Sequence, residues 1–444
     1  MSRRSRVNSA VLGEMMFNDF MRRILVPFRR ISVHCMHFIR RFPDYITGIV
    51  VLYVVTFALV LPFMCSNMIY SAYYSPATDS DGLIQEATDL NNARIKEAEK
   101  YFSTLSRSGN KAYYSELASR KKIDLAIAVV TTPRFVRGDL RLNYLTQVMA
   151  KLDSVIKNDQ SFPNKALFIC NVNAGPGNHT EALHMAEYFP INNKFSAMSP
   201  ADTIMDPFDK EKEDYIFCMQ EALYFSPTHI LMIEDDAVPY DNMLSVVRRV
   251  MDGQRDPHLT ANRDLTSHAW TYVKLFYPER WQGYSYSNEV SIIEELSISL
   301  IGGFIFLSAF HLQLAKCKNT RVHKHRPDEY FVFAIGFVYF GALINVIGRQ
   351  YWLWFMSCIS HYHTVIAPDC CSPAILYEAN MAQDIITYLA SINCHSKFPI
   401  DLAMAEFAFE NDQYGYLIEP NLVKHIGMFS SVKSTVRYPQ DFTF

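Results

Sequence analysis

Three stretches of this chain run without a charge for as long as a helix needs to cross a bilayer. Two of them cut into what otherwise reads as an alternating strand–helix domain, and any fold has to accommodate both facts. Residues 45–78 carry no charged side chain, and the part reading ITGIVVLYVVTFALVLPFMCSNMIY spans the roughly 30 Å hydrocarbon layer. It is too long and starts too late for a cleaved signal peptide; a helix buried in a soluble core is the alternative. Residues 1–43 hold nine arginines (Arg3, Arg4, Arg6, Arg22, Arg23, Arg29, Arg30, Arg40, Arg41) against Glu14 and Asp19. The positive-inside rule therefore keeps the N-terminus cytosolic and makes this span a signal anchor.

Residues 296–315 and 331–348 are also free of charge, and KCKNTRVHKHRPDEY between them is rich in Lys, Arg and His. Two spans joined by a basic loop read as a membrane hairpin with a cytosolic turn, against the alternative of two buried helices in a soluble core. His311 and Asn345 are polar intrusions into the spans. The resulting topology has a cytosolic basic tail at 1–45, an anchor at 46–70 and a lumenal helical stem at 71–122. A domain begins at 123–295, breaks at a hairpin of 296–350 with its turn at 316–330, and resumes at 351–444. Half the residues are hydrophobic and the net charge is −3. That excludes a disordered chain and lacks the basic field of a nucleic-acid binder.

On this topology Cys35 and Cys317 face a reducing cytosol, while Cys170, Cys218, Cys358, Cys370, Cys371 and Cys394 lie on the oxidising side. Pairing is possible there, but the spacing does not say which. No pair of CxxC motifs has zinc-site spacing. Asn178 opens the glycosylation sequon NHT, in keeping with a lumenal position.

The stem is charged, with helical spacing in LNNARIKEAEKYFSTL. From residue 123 the pattern changes: IDLAIAVV is a strand ending at TTPR, and Leu142, Leu145, Met149, Leu152 and Ile156 recur at helical intervals. ALFICNV and HILMI are further strands, with the helix EDYIFCMQEALYFS between them. After the hairpin come HTVIAPDCCSPAILY, a helix around MAQDIITYLASI, then PIDLAMAEFAFEND and IEPNLVKHIGMFSS. The alternation implies an α/β fold with a mainly parallel sheet flanked by helices. Ligands of such sheets bind outside the carboxyl ends of the strands. Thr131, Thr132 and Arg134 would therefore face Glu234, Asp235 and Asp236 across one crevice.

Three adjacent carboxylates repel one another, so the trio needs a positive neighbour. At the end of an apolar strand, a hard divalent ion such as Mn²⁺ or Mg²⁺ bridging to a diphosphate suits it. Acidic triplets also occur on solvated loops.

VVTTPR, MIEDDA and LVKHIGMFSS behind a signal anchor resemble Golgi glycosyltransferases of the GT-A fold. VKLFYPERWQGYS and the inserted hairpin resemble the post-GPI-attachment GalNAc-transferase family, from about residue 47 onward. The arginine-rich tail exceeds what that family needs. The resemblance implies transfer of N-acetylgalactosamine from UDP-GalNAc to the mannose of a GPI glycan, on GPI-anchored proteins or the free glycolipid, with Mn²⁺ or Mg²⁺ and a β-linked, inverted product. It implies that Val130, Thr131, Thr132 and Arg134 hold the uridine, and that Glu234 and Asp235 approach the ribose and sugar. Asp236 would bind the metal, completed by His425 unless that is an ordinary buried histidine. Inversion needs one carboxylate as base; the resemblance implies Asp401, with Glu406 and Glu410 as rivals. Lys274, Glu279, Arg280 and Trp281 would line the acceptor side. An N-glycan branching N-acetylglucosaminyltransferase shares the TTP-like loop, the EDD motif and the HxG-like ending, but has a single span. A non-enzymatic multi-span protein is the third reading, opposed by few spans nearly free of ionisable residues.

Overall fold

The computed structural model of the chain describes residues 43–75, 80–120, 122–134, 141–196, 206–252, 270–284, 289–316 and 328–429. The arginine-rich tail to residue 42 and the basic turn 317–327, with Cys35 and Cys317, lie outside them. The chain divides into two compact units, residues 1–75 with 284–347 and residues 76–283 with 348–444.

The first unit holds three helices long and apolar enough to cross a membrane: Thr47–Met64, Glu289–Gln313 and Glu329–Ile347, of mean hydropathy 2.3, 1.9 and 2.1. Lipid gives no hydrophobic drive for such helices to associate, so close approach through small residues has to hold them together. Glycines provide it here. A Cβ on Gly302 would lie 2.1 Å from Phe340, one on Gly303 2.7 Å from Phe333, and one on Gly336 2.4 Å from Phe306. The first span meets the third through Thr56 Oγ1 and the Tyr339 hydroxyl at 2.8 Å, with the Tyr53 and Tyr339 rings 5.2 Å apart. Asn345, out of place by hydropathy, donates to Glu295 Oε1 at 2.6 Å and to the Gly341 carbonyl at 2.9 Å.

The second unit is built on an eight-stranded sheet. Its strands are β1 (Ile123–Thr131), β2 (Lys165–Asn171), β3 (Ile191–Asn193), β4 (Pro227–Glu234), β6 (Trp270–Lys274), β7 (His363–Ile366), β8 (Ala374–Glu378) and β9 (Tyr414–Glu419). Their order is β3-β2-β1-β4-β8-β6-β9-β7. The half from β3 to β4 is parallel throughout, and β6 runs parallel to β9. β8 opposes both its neighbours and β7 opposes β9. The expected mainly parallel α/β sheet is therefore present, with its antiparallel strands on the far side. β1 is buried on both faces, which is why it is apolar from Leu125 to Val130 instead of alternating. A separate antiparallel pair joins β5 (Ala237–Pro239) to β10 (Val423–His425), setting His425 opposite Ala237.

One disulfide is present among the described residues, Cys170 of β2 to Cys218 of the helix Pro207–Leu223. Closing a loop of 48 residues stabilises by about 4 kcal/mol on the chain-entropy account. The expected stem helices form as Ser80–Ser103 and Arg107–Ala118, but they do not stand free. Ala98, Phe102, Tyr114 and Leu117 join the core. The hydroxyls of Tyr101 and Tyr114 donate to the fully buried Asp153 at 2.5 and 2.6 Å, and Lys157 completes that carboxylate's shell at 2.8 Å. The apolar stripe of the stem was therefore a packing face.

Candidate functional site

The neighbouring parallel strands β1 and β4 end together, with Val130 paired to Glu234, so TTPR and EDD share one sheet edge. The backbone N–H of Asp235 donates to the Val130 carbonyl at 3.0 Å. The positive partner that the acidic trio demands is Arg134. Its guanidinium forks between Asp235 Oδ1 at 2.6 Å and Asp236 Oδ2 at 2.5 Å, and all three side chains are nearly excluded from solvent. It also lies over the Tyr144 ring, 5.0 Å from the centroid. Burial works against the charge on Asp236, but Arg134 and then His425 outweigh it and hold that carboxyl far below the usual carboxylate range. Burial raises Asp235 in spite of Arg134, and burial together with the Asp236 charge pushes Glu234 well above its ordinary value. The trio thus shares its negative charge unequally.

Thr131 Oγ1 donates to Asp235 Oδ2 at 2.7 Å, and His179 Nε2 lies 2.9 Å from the same hydroxyl. The hydroxyl's one proton is committed to the carboxylate, so Nε2 is the donor in the second bond. Burial lowers His179 to about 4, which keeps the ring neutral. His179 escaped the sequence reading because NHT reads as a glycan acceptor; in the structure Asn178 is exposed while His179 turns inward.

The β5–β10 pair carries His425 back to the acids, with Nε2 3.3 Å from Asp236 Oδ2. Ile426 N–H donates to the Asp236 carbonyl at 2.8 Å. Only a glycine fits at the next position, since a Cβ on Gly427 would stand 2.0 Å from Asp236 Oδ2. Glu234, Asp236 and His425 offer ligand atoms that all lie within 4.8 Å of one another. Asp236 Oδ1 is buried with no hydrogen-bond partner, an expensive state for a carboxylate oxygen unless something cationic meets it. Two carboxylates and an imidazole fit a divalent ion, and the imidazole favours Mn²⁺ over Mg²⁺.

Beside this cluster lies a cavity of about 300 Å³. Val130, Thr131, Thr132, Arg134, Glu234 and Asp235 line it together, joined by Lys210, Glu211, Asp214 and Tyr215 of the helix Pro207–Leu223 and by Ser372. Sequence reasoning missed the helix residues. Their signal was the charged first turns of DKEKEDY, which reads equally well as a solvated face. Lys194 reaches Asp214 Oδ1 at 2.9 Å and Lys210 pairs with its other oxygen.

Asp401 stands in the first turn of the helix Ile400–Glu410. Its Oδ2 accepts the Cys371 N–H at 2.8 Å, and its Oδ1 is buried without a partner. Glu406 and Glu410, the rival acids, are exposed on the same helix. The four residues expected on the acceptor side separate. Lys274 is fully buried in β6 and gives its ammonium to the carbonyls of Pro368 and Cys370, each at 2.8 Å. It has no surface to offer an acceptor, because the loop that carries Pro368 and Cys370 covers its ammonium. Glu279 is half-buried and accepts from Asn421 Nδ2 at 2.8 Å. Arg280 and Trp281 are exposed, Trp281 by 56%, with the Tyr277 ring 5.9 Å from the indole.

The model of the family described as GPI-N-acetylgalactosamine transferase PGAP4 matches residues 125–424. The match runs from β1 to β10 and includes both hairpin helices, so it takes in the halves of the sheet before and after the insertion. Covering well over half of the chain, with Glu234, Asp236 and Asp401 inside it and His425 one residue beyond its end, it makes this protein a member of the GPI-N-acetylgalactosamine transferase PGAP4 family, glycosyltransferases that act on the GPI glycan.

Proposed function

We propose that the protein moves N-acetylgalactosamine from UDP-GalNAc to a mannose of the GPI glycan with inversion, in the Golgi lumen, as a three-span membrane protein with a cytosolic N-terminus. The observation that carries this reading is the grouping of Glu234, Asp236 and His425 within 4.8 Å of one another, beside the cavity formed by the β1 and β4 ends. Mn²⁺ bound there supplies Lewis-acid neutralisation of the departing diphosphate. Glu234, Asp236 and His425 would hold it, while Val130, Thr131 and Thr132 would receive the uridine. Arg134 keeps Asp236 ionised and in place.

UDP-GalNAc is α-linked and the product is β-linked, so a single displacement needs a base on the acceptor hydroxyl. Asp401 suits that role: the Cys371 N–H fixes one oxygen at 2.8 Å, which leaves the partnerless Oδ1 to take the proton. Exposed Trp281 and Arg280 suit an acceptor whose sugars stack on an indole and whose phosphates pair with a guanidinium.

The test is purified protein with Mn²⁺, offered UDP-GalNAc or UDP-GlcNAc and a GPI-glycan acceptor. Asp236→Ala should abolish donor binding and transfer together. Asp401→Asn should bind the donor normally and lose transfer by about 10²–10⁴-fold; a fully active variant removes Asp401 as the base. Preference for UDP-GlcNAc would move the reading to the branching class. The hairpin fits an acceptor held at a fixed height above the bilayer, where positioning replaces a diffusive search. Its two ends meet at one place, since Arg349 Nη1 donates to the Gln282 carbonyl at 3.3 Å. Replacing residues 284–347 by a soluble linker should spare UDP-GalNAc binding and lower transfer to membrane-borne GPI. Equal rates would refute that role.

A further inference from the structure

We propose that Cys370 and Cys371 close into a vicinal disulfide that braces the loop under Asp401. The two cysteines are adjacent in the chain between β7 and β8, and each thiol is the other's largest influence, Cys371 lowering Cys370 and Cys370 raising Cys371. Cys371 has φ 75°, a left-handed conformation that non-glycine residues seldom adopt and that usually marks a functional constraint. An eight-membered ring closed through a single peptide bond needs backbone of this unusual kind. The loop is pinned on three sides. Lys274 holds the carbonyls of Pro368 and Cys370 at 2.8 Å each. The Cys371 N–H holds Asp401 Oδ2 at 2.8 Å, and the Pro373 carbonyl accepts the Glu234 N–H at 2.8 Å. The ring would therefore sit between the proposed base and a proposed metal ligand.

Two further observations concern the chemistry. The same unit already carries the Cys170–Cys218 disulfide, so it matures where thiols are oxidised. Both Cys370 and Cys371 are partly exposed, whereas Cys394 is buried. A small disulfide oxidant such as oxidised glutathione, or the oxidised dithiol of an oxidoreductase, can reach them. Cys370 is the more acidic of the pair: the hydrogen bond from Cys371 lowers it most, and Lys274 adds to this against burial. The Cys370 thiolate attacks the oxidant's disulfide, which forms a mixed disulfide and expels one thiolate. Cys371 then loses its proton and displaces the second. The two cysteines give up two protons and two electrons, the Cys370–Cys371 bond forms, and the oxidant leaves as two thiols.

The experiment uses full-length protein, purified in detergent from secretory-competent cells and denatured in an alkylating reagent without reductant. The peptide containing both cysteines should be unalkylated and lighter by two hydrogens, and should take up two alkyl groups after reduction. Alkylation of both without reductant, or a bridge from either to another cysteine, overturns the proposal. This reading needs no transferase activity, so it stands or falls separately from the proposed reaction. Under graded native reduction the strained, accessible ring should open before the buried Cys170–Cys218 bond. Opening should lower kcat for transfer about tenfold through a loosened Asp401, with the donor KM unchanged. The Cys370→Ser/Cys371→Ser double variant should be insensitive to reductant. If kcat is unchanged once mass shows the ring open, the bracing role is wrong.

Discussion

Arg134→Met isolates the feature on which the acidic cluster depends. The substitution keeps most of the aliphatic volume and removes the cation between Asp235 and Asp236, which lie 2.6 and 2.5 Å from its two nitrogens. Breaking a buried ion pair from one side costs about 3–5 kcal/mol, because the remaining charge stays buried and uncompensated. Loss of the guanidinium over the Tyr144 ring at 5.0 Å adds about 1 kcal/mol. Against a total stability of about 5–15 kcal/mol, the variant should fold marginally and unfold on the order of 10 °C earlier. The cost is electrostatic, so a divalent ion at the same carboxylates should recover part of it. At a hundred times its dissociation constant, Mn²⁺ would restore about 2.7 kcal/mol. Arg134→Lys should fall between the two, since one ammonium cannot fork to two carboxylates. The assay is thermal unfolding in detergent for wild type, Arg134→Met and Arg134→Lys, with and without Mn²⁺. A loss of less than about 1 kcal/mol in Arg134→Met, or a Mn²⁺ stabilisation no larger than in wild type, would refute this electrostatic account.

Two further predictions concern the same unit. Burial alone would raise Glu419, but His363 and Arg349 outweigh it and hold the carboxyl down at about 2, with Arg349 Nη2 2.7 Å from Glu419 Oε2. Its folded value lies below its unfolded one, so the unfolded chain binds the proton more tightly. About 3 kcal/mol of stability is therefore present above pH 4.5 or so and lost as pH falls toward 2; Glu419→Gln should be less stable at pH 6 and flatter in acid, and parallel unfolding curves for the two proteins would contradict this. Gly427→Ala forces a Cβ to within 2.0 Å of Asp236 Oδ2 and 3.2 Å of Arg134 Nη1. It should cost about 1–3 kcal/mol and raise the Mn²⁺ concentration needed for half-maximal activity, whereas wild-type metal dependence would show that the terminal segment can move away.

Much of the framework could be read from the sequence because it rests on local signals. β1 is apolar from Leu125 to Val130 because both its faces are buried, and the three spans announce themselves by length and absence of charge. The EDD motif was legible as a strand end needing a cation. Strand ends side by side also set Arg134 across from the trio, although it lies 102 residues from Asp236; what stayed hidden was that its guanidinium forks between Asp235 and Asp236, because no local pattern gives side-chain geometry. The same limit hid His179, whose role depends on a hydroxyl 48 residues away. It also hid the Cys170–Cys218 pairing and the docking of the stem, where helical spacing reveals an apolar face but not what covers it.

Lys274, expected on the acceptor side, is buried in the structure. A charged and aromatic loop reads as ligand-facing, yet β6 pairs with β8 and β9, both of which come after the hairpin in the chain. Such pairing requires the insertion to leave and rejoin the domain at nearly one point. The structure meets that requirement: Arg349 at the return reaches the Gln282 carbonyl at 3.3 Å, and its guanidinium is fixed by Glu419 on β9. Lys274 projects from a covered face of that sheet, and its ammonium is held by carbonyls of the loop that contacts Asp401. Its influence on the reaction would run through that loop, so Lys274→Met should lower kcat for transfer while leaving acceptor KM unchanged. A raised acceptor KM with normal kcat would instead return Lys274 to the acceptor surface.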